Sequence, residues 1–443
     1  MRYANILDMP LPISFPKVVS YKGKRYTWLW GAGCSPGQVE SGWNNWDAWL
    51  QHRAPLQATH ILTRGRACRF ESRYRSDMRM ARAQNHSALR FGIDRTKTEP
   101  SPGVYDEKEL DRYKDMVDFA LSIGLTPVVN LEWWTCSEKC DAAHWWLRPD
   151  YPDLLEAYVE KLLQKLGKSV KYFTVFNEPN VFTKLVFSEN EGEWLGRKQR
   201  SAANLETVTA NFVEGHKRAY KVIKRVHPKS LVGIAQSTNW RSADDPATKM
   251  REDMWDYDFL DKIKDHLDFV GINPYMHTHY FADGDMIRGW WGLDPCIRAK
   301  GRRPTEPCND MCPRVIYEVA TAIFKRYQLP ILITEHGQND PHLEDGRRIS
   351  FMAESFKWLH KAIREGVPVI GYFVWTIMDC FEWGNGYTDC FGLWHVDRDT
   401  LERTPRTSAE FYANVIAARG LTPAIYEKYK KYIAPIMCIP VNS

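Results

Sequence analysis

Three observations predict an α/β chain closed into a single (β/α)8 TIM barrel, residues 1–443, with long loops on the C-terminal face. Eight short apolar runs recur along the sequence, stretches of helical periodicity separate them, and no glycine-rich dinucleotide turn is present. The runs expected to form strands are residues 26–33, 88–93, 126–131, 172–177, 231–235, 267–273, 331–335 and 369–375. Between them, Leu110, Tyr113, Val117, Ala120 and Leu121 mark one face of a helix over 107–123. Leu155, Tyr158, Val159, Leu162 and Leu166 do the same over 152–166, where Pro152 suits a first helical turn. No linker rich in Gly, Ser or Pro divides the chain, and no repeat of roughly 20 to 50 residues recurs. The longest irregular stretch, 276–311, contains "GWWGLDPCIRAKGRRPTEPCNDM", and loops of that length are usually functional.

Composition narrows the function classes. Hydrophobic content of 44% and charged content of 26% are ordinary for a soluble globular protein. A net charge of +5 is too small for this length to argue for nucleic acid or a membrane surface, and the basic cluster 64–82 reads as solvated faces. No apolar run approaches the roughly 18 residues of a membrane span. The opening "MRYANILDMPLPISFPKVVS" has one early Arg and no continuous apolar segment, so the expectation is a cytoplasmic protein, with a mature form whose signal was removed as the alternative.

Cysteine and tryptophan usage leaves alternatives open. Cys136/Cys140 and Cys308/Cys312 each have C-x3-C spacing, which four thiolates could use to hold zinc. Their separation lacks the rhythm of a zinc ribbon, so reduced, buried thiols and no metal are expected, with a loop disulfide as the lesser alternative. Eighteen tryptophans, several in pairs (Trp133-Trp134, Trp145-Trp146, Trp290-Trp291), can pack a core or stack on the apolar faces of sugar rings.

Two carboxylates stand where such a barrel does its chemistry, at the C-terminal ends of strands. "KYFTVFNEPN" runs from a buried strand directly into Glu178, and "ILITEHG" ends in Glu335. An ionised group following a core strand must be solvated, paired or used. Two carboxyl groups across a pocket are the minimum for glycoside hydrolysis, one to protonate the leaving oxygen and one to attack or activate water. The stretch "GYFVWTIMDCFEWGNGYTDCFGLWHVDRDTLERTPRTSAEFYANVI" adds Trp375, Glu382 and Trp383 beyond the eighth strand. An acid between aromatic rings suits a sugar, since carboxylates accept from hydroxyls while rings cover C–H faces.

With these motifs the chain resembles glycoside hydrolase family 1, the β-glucosidase and β-galactosidase family, nearly end to end. The resemblance implies Glu178 as acid/base and Glu335 as nucleophile. "WLWGAGCSPGQVESGW" is similar to the family's opening strand and its sugar-binding Gln, here Gln38. "SRYRSDMRMARAQNHSALRF" matches the segment delivering an Arg to the nucleophile, here Arg90. Asn177 matches the residue contacting the sugar 2-hydroxyl, and "GINPY" implies Tyr275 as support for the nucleophile, with Asn273 on the substrate side. "FVWTIMDCFEWGNGY" implies a Trp375 platform and a Glu382/Trp383 grip on the outer hydroxyls, with Phe391 following as a further binding residue.

The implied activity is that of a retaining, exo-acting β-glycosidase working on small β-linked glycosides, with no cofactor. Transglycosylation on the same site, with an acceptor at Trp290 and Trp291, is the alternative enzyme reading. A sugar-binding protein on a degenerate barrel is the non-enzyme reading. Retention of Glu178 separates the chain from thioglucosidases, and a carboxylate at Glu382 would repel a sugar phosphate. Departures from the family stand at Trp133, which replaces a sugar-binding His, at His336, which replaces an Asn, and at Pro274. His144 could take over the lost contact from the adjoining loop.

Overall fold

The computed structural model describes residues 9–53, 64–142, 144–189, 194–195, 200–282, 286–288, 297–298 and 312–433. Eight parallel strands form the closed sheet: β1 (Leu29–Cys34), β2 (Ala88–Gly92), β3 (Thr126–Glu132), β4 (Tyr172–Asn177), β5 (Leu231–Ala243), β6 (Val270–Tyr280), β7 (Ile331–His336) and β8 (Val369–Trp375). Each pairs with the next, and β8 returns to β1 through Gly371↔Leu29 to Trp375↔Gly33. The protein is therefore a (β/α)8 TIM barrel. β1, β2, β4, β7 and β8 are buried at every residue, which is why they read as continuous apolar runs rather than alternating ones.

One major helix follows each strand: α1 (Phe70–Ala83), α2 (Glu107–Ser122), α3 (Tyr151–Leu166), α4 (Ala202–Val226), α5 (Pro246–Ile263), α6 (Val315–Tyr327), α7 (Gly346–Arg364) and α8 (Thr407–Ala418). Local chemistry sets their starts. Asp106 accepts from Glu109 N at 3.1 Å, Ser201 from Asn204 N at 3.0 Å, and Asp245 from Thr248 N, each satisfying an otherwise orphaned helical N–H. The expected apolar stripe of α3 is buried throughout, with Pro152 in its first turn. In α2 the stripe is Leu110, Tyr113, Met116, Val117 and Ala120, whereas Leu121 is 36% exposed. One residue beyond Ala120 rotates a side chain by about 100°, off the buried face.

Three boundaries differ from expectation. The first run divides: Lys24–Thr27 pairs antiparallel with Val18–Tyr21 across a Lys22-Gly23 turn with positive φ at both residues, and β1 starts only at Leu29. The fifth strand extends to Ala243, and the sixth starts at Val270 and extends to Tyr280. These polar extensions persist because they pair with each other, from Trp240↔His277 to Ala243↔Tyr280, above the barrel rim. The stretch expected to be irregular thus begins as strand, and Met286–Arg288 adds antiparallel to it.

A separate apolar cluster that includes Leu29, Ala88, Val128, Tyr172, Leu332 and Phe373 plugs the barrel where most of these strands begin. That packing closes the floor and leaves the opposite rim for polar side chains.

Candidate active site

β4 carries its apolar sequence up to Asn177, and the chain then reverses at Glu178. This residue has left-handed backbone (φ 42°, ψ 55°), and Pro179 opens a short helix, Pro179–Phe187. A non-glycine residue held there is uncommon and costs energy that the surroundings must supply. The Glu178 N–H donates to Ala235 O at 2.6 Å, which ties the bend to β5. Glu335 is the penultimate residue of β7. Both acids are buried, 8% and 4% exposed.

One arginine serves this pair unequally. Arg90, fully buried on β2, donates from Nη1 to Glu335 Oε1 at 2.6 Å and from Nη2 to Asn177 Oδ1 at 2.6 Å. Tyr275 Oη donates to the other oxygen of Glu335 at 2.9 Å. Glu178 instead receives Asn273 Nδ2 at 2.9 Å, and the same nitrogen lies 3.5 Å from Asn177 Oδ1. Arg90, bridging Glu335 and Asn177, joins the two acids into one polar cluster. Asn273, expected on the substrate side, lies beside Glu178.

The electrostatics follow the contacts. Burial, then the charge of Glu335, push Glu178 up to about 8, so it holds a proton at neutral pH. Burial also raises Glu335, but Arg90, Tyr275 and Asn273 all pull it back by favouring its anion. The proton of the pair belongs with Glu178.

A second polar pair lies within electrostatic reach of the two acids. Gln38 Nε2 donates to Glu382 Oε2 at 2.8 Å, and burial holds Glu382 well above the usual carboxylate range, with the charges of Glu335 and Glu178 contributing. Trp383 packs on Trp46 and Trp134 with ring centroids 4.6 and 5.0 Å away. Trp375 faces Trp133 at 5.8 Å, and Trp133 lies over the Arg90 guanidinium at 4.3 Å. Gly92 permits this stack, since a Cβ there would come within 2.9 Å of the Trp133 ring. Phe391 packs in the core, its carbonyl accepting Thr376 N–H at 3.2 Å.

Several sequence readings are corrected or refined. His144 is exposed at the head of the Trp145–Leu147 turn, whereas Trp133 itself fills the buried place over Arg90. His336 meets Tyr372 Oη at 3.0 Å through Nδ1 and stacks on Phe351, and burial lowers its pKa to about 3, leaving it neutral. Cys136 and Cys140 are buried thiols, but Cys312 is disulfide-bonded, so reduced thiols do not hold throughout. Trp290, Trp291 and Cys308 lie outside the described residues. Among those described, no helix is long and apolar enough to cross a membrane.

Sequence reading missed the supports of the site. Thr174 Oγ1 donates to Asn130 Oδ1 at 2.7 Å, Asn130 approaches Arg90 at 3.5 Å, and Thr334 Oγ1 donates to Asn273 Oδ1 at 2.6 Å. Trp134 Nε1 donates to Asn177 O at 2.7 Å. The signal for the first three was a lone polar residue inside an apolar run, as in "PVVNLE", "YFTVFN" and "ILITEH".

Comparison with known proteins gives the family. The model of "Glycosyl hydrolase family 1" matches residues 23–258 and 253–421. The chain belongs to glycoside hydrolase family 1. This family 1 chain is 25% identical over 466 residues to Beta-glucosidase A of Acetivibrio thermocellus, covering 92% of this chain and 99% of that one. It is 26% identical over 456 residues to Beta-glucosidase A of Thermotoga maritima, covering 89% and 97%. Its fold superimposes on a β-glycosidase from Pyrococcus horikoshii with a TM-score of 0.79 at 25% identity, covering 95% and 98%. The protein is a glycoside hydrolase.

Proposed function

We propose that this family 1 enzyme is a retaining, exo-acting β-glycosidase, β-glucosidase-like, that hydrolyses small β-linked glycosides by double displacement. The observation carrying this reading is that Arg90 reaches one of two adjacent glutamates and not the other. Glu335, with a cation and a phenol on its two oxygens, is the ionised nucleophile. Glu178, without a cation of its own, is the protonated acid.

In the first step Glu335 attacks the anomeric carbon while Glu178 gives its proton to the leaving oxygen. The resulting ester removes the Glu335 charge. The Glu178 pKa then falls, and as a carboxylate it deprotonates the water that opens the ester. Asn177 has its Oδ1 committed to Arg90, which leaves its amide nitrogen to donate to the sugar 2-hydroxyl. Gln38 and Glu382 grip the outer hydroxyls, and Trp375, Trp133 and Trp383 supply apolar ring faces. A site closed at that end by a Gln–Glu pair suits a terminal sugar.

Replacement of Glu335 by Ala tests the reading on an aryl β-glucoside. Turnover is expected to disappear and to return when azide is supplied as the replacement nucleophile. Unchanged turnover in the Ala variant would overturn the assignment.

A further inference from the structure

Asn273 donates from Nδ2 to Glu178 at 2.9 Å, so its orientation matters to the chemistry. An amide can be turned either way. With Nδ2 toward Glu178 it donates to the carboxyl group and favours its anion, whereas with Oδ1 there it would accept from the protonated acid and favour that form. The turn is decided on the far side of the amide. Thr334 Oγ1, fully buried beside Glu335 in sequence, lies 2.6 Å from Asn273 Oδ1 and 3.1 Å from the Ile272 carbonyl. A hydroxyl has one proton to give, and the shorter contact assigns it to the amide oxygen.

We propose that Thr334 is a positioning residue whose hydroxyl locks the Asn273 amide with its nitrogen toward Glu178. This rests on the double-displacement reading above. The consequence is electrostatic. The amide favours the ionised form of Glu178, and without the lock that group binds its proton more tightly. Glu178 would then be slower to give its proton to a leaving group. Other groups facing Glu178 are Glu335, Arg90, Tyr275, Glu382 and Ser237, none of which is replaced in the substitution proposed.

Thr334→Val removes the hydroxyl at nearly constant shape, and Thr334→Ser keeps it. The full-length protein, labelled with 13C at glutamate carboxyl carbons and with Glu178 assigned from the Glu178→Gln spectrum, is titrated without substrate. Thr334→Val is expected to move the Glu178 titration to higher pH, with Thr334→Ser superimposing on wild type. In kinetics, Thr334→Val should lower kcat/KM about tenfold more for an aryl glycoside with a poor leaving group than for one with a good leaving group. In an Asn273→Ala background the same substitution should do nothing further. A Val titration that overlays wild type, a Ser variant as shifted as Val, or an effect that survives Asn273→Ala would each overturn the proposal. If Thr334→Val does not fold, Thr334→Ala carries the same test. Absence of turnover in wild type would instead defeat the functional reading, and the substrate-free titration would still decide the role of Thr334.

Discussion

Two places in this barrel set one buried arginine against two glutamates, and they differ in how the arginine is shared. In the wall beside the site, Arg95 donates to Glu99 at 2.6 Å and to Glu132 at 2.9 Å, and the ring faces of Trp145 and Tyr158 lie 4.6 Å from its guanidinium. Gly103 N–H and Tyr151 Oη add further donors to the two acids. In the site, Arg90 gives one nitrogen to Glu335 and the other to Asn177, while Glu178 receives the Asn273 amide. Burial raises the proton affinity of Glu132 as well as that of Glu178, so a perturbed acid is no sign of chemistry by itself. What distinguishes the site is an acid that no guanidinium reaches, beside one that a guanidinium holds ionised.

Substitutions can break that contrast, and the largest effect is expected at the uncompensated acid. Glu178→Gln should lower kcat/KM for a glycoside with a poor leaving group by about 10³-fold, with a smaller loss for activated aryl glycosides. Equal losses for both leaving groups would argue against an acid role. The wall pair should fail differently. Arg95→Met leaves two buried acids without their cation, and denaturant unfolding should show a loss of about 3–5 kcal/mol. Its kcat/KM per folded molecule should stay within about threefold of wild type. A catalytic defect there without destabilisation would dissolve the distinction between the two clusters.

pH sharpens the comparison further. Because the proton on Glu178 is lost near pH 8, kcat/KM should fall as pH rises through about 8, and Glu178→Gln should lose that alkaline limb. A limb persisting in the Gln variant would assign it to another group. The smallest effect is on stability. The native state binds this proton more tightly than the unfolded chain, whose glutamate titrates near its ordinary 4.5. Stability contributed by this group therefore falls as pH rises from about 4.5 to about 8. Relative to wild type, Glu178→Gln should gain about 2–4 °C in Tm on going from pH 5 to pH 9, read by thermal unfolding.

The barrel and its two strand-end acids were legible because both rest on local pattern. A strand buried on both faces is an unbroken apolar run, and a carboxylate directly after one stands out, as at Phe176-Asn177-Glu178 and Ile333-Thr334-Glu335. The extensions Gln236–Ala243 and Met276–Tyr280 of β5 and β6 were not legible, since polar residues pair there with each other and carry no apolar signal. Leu121 shows the limit of periodicity, where one position decides between core and solvent. The contact of Asn273 on β6 with Glu178 after β4 crosses the barrel mouth over β5, a neighbourhood no single segment encodes. Thr334 and Asn130 were visible as lone polar residues, but their partners are 61 and 44 positions away for Asn273 and Thr174 respectively.

The central claim is that Glu335, held ionised by Arg90 and Tyr275, forms the covalent bond to the sugar. Incubation with an activated 2-deoxy-2-fluoro-β-glucoside, followed by proteolysis and mass spectrometry, tests it directly. The account predicts one fluoroglucosyl group on the peptide containing Glu335, with activity lost in step with labelling. Label on Glu178 or elsewhere, or full turnover of glycosides by a protein that never becomes labelled, would contradict it.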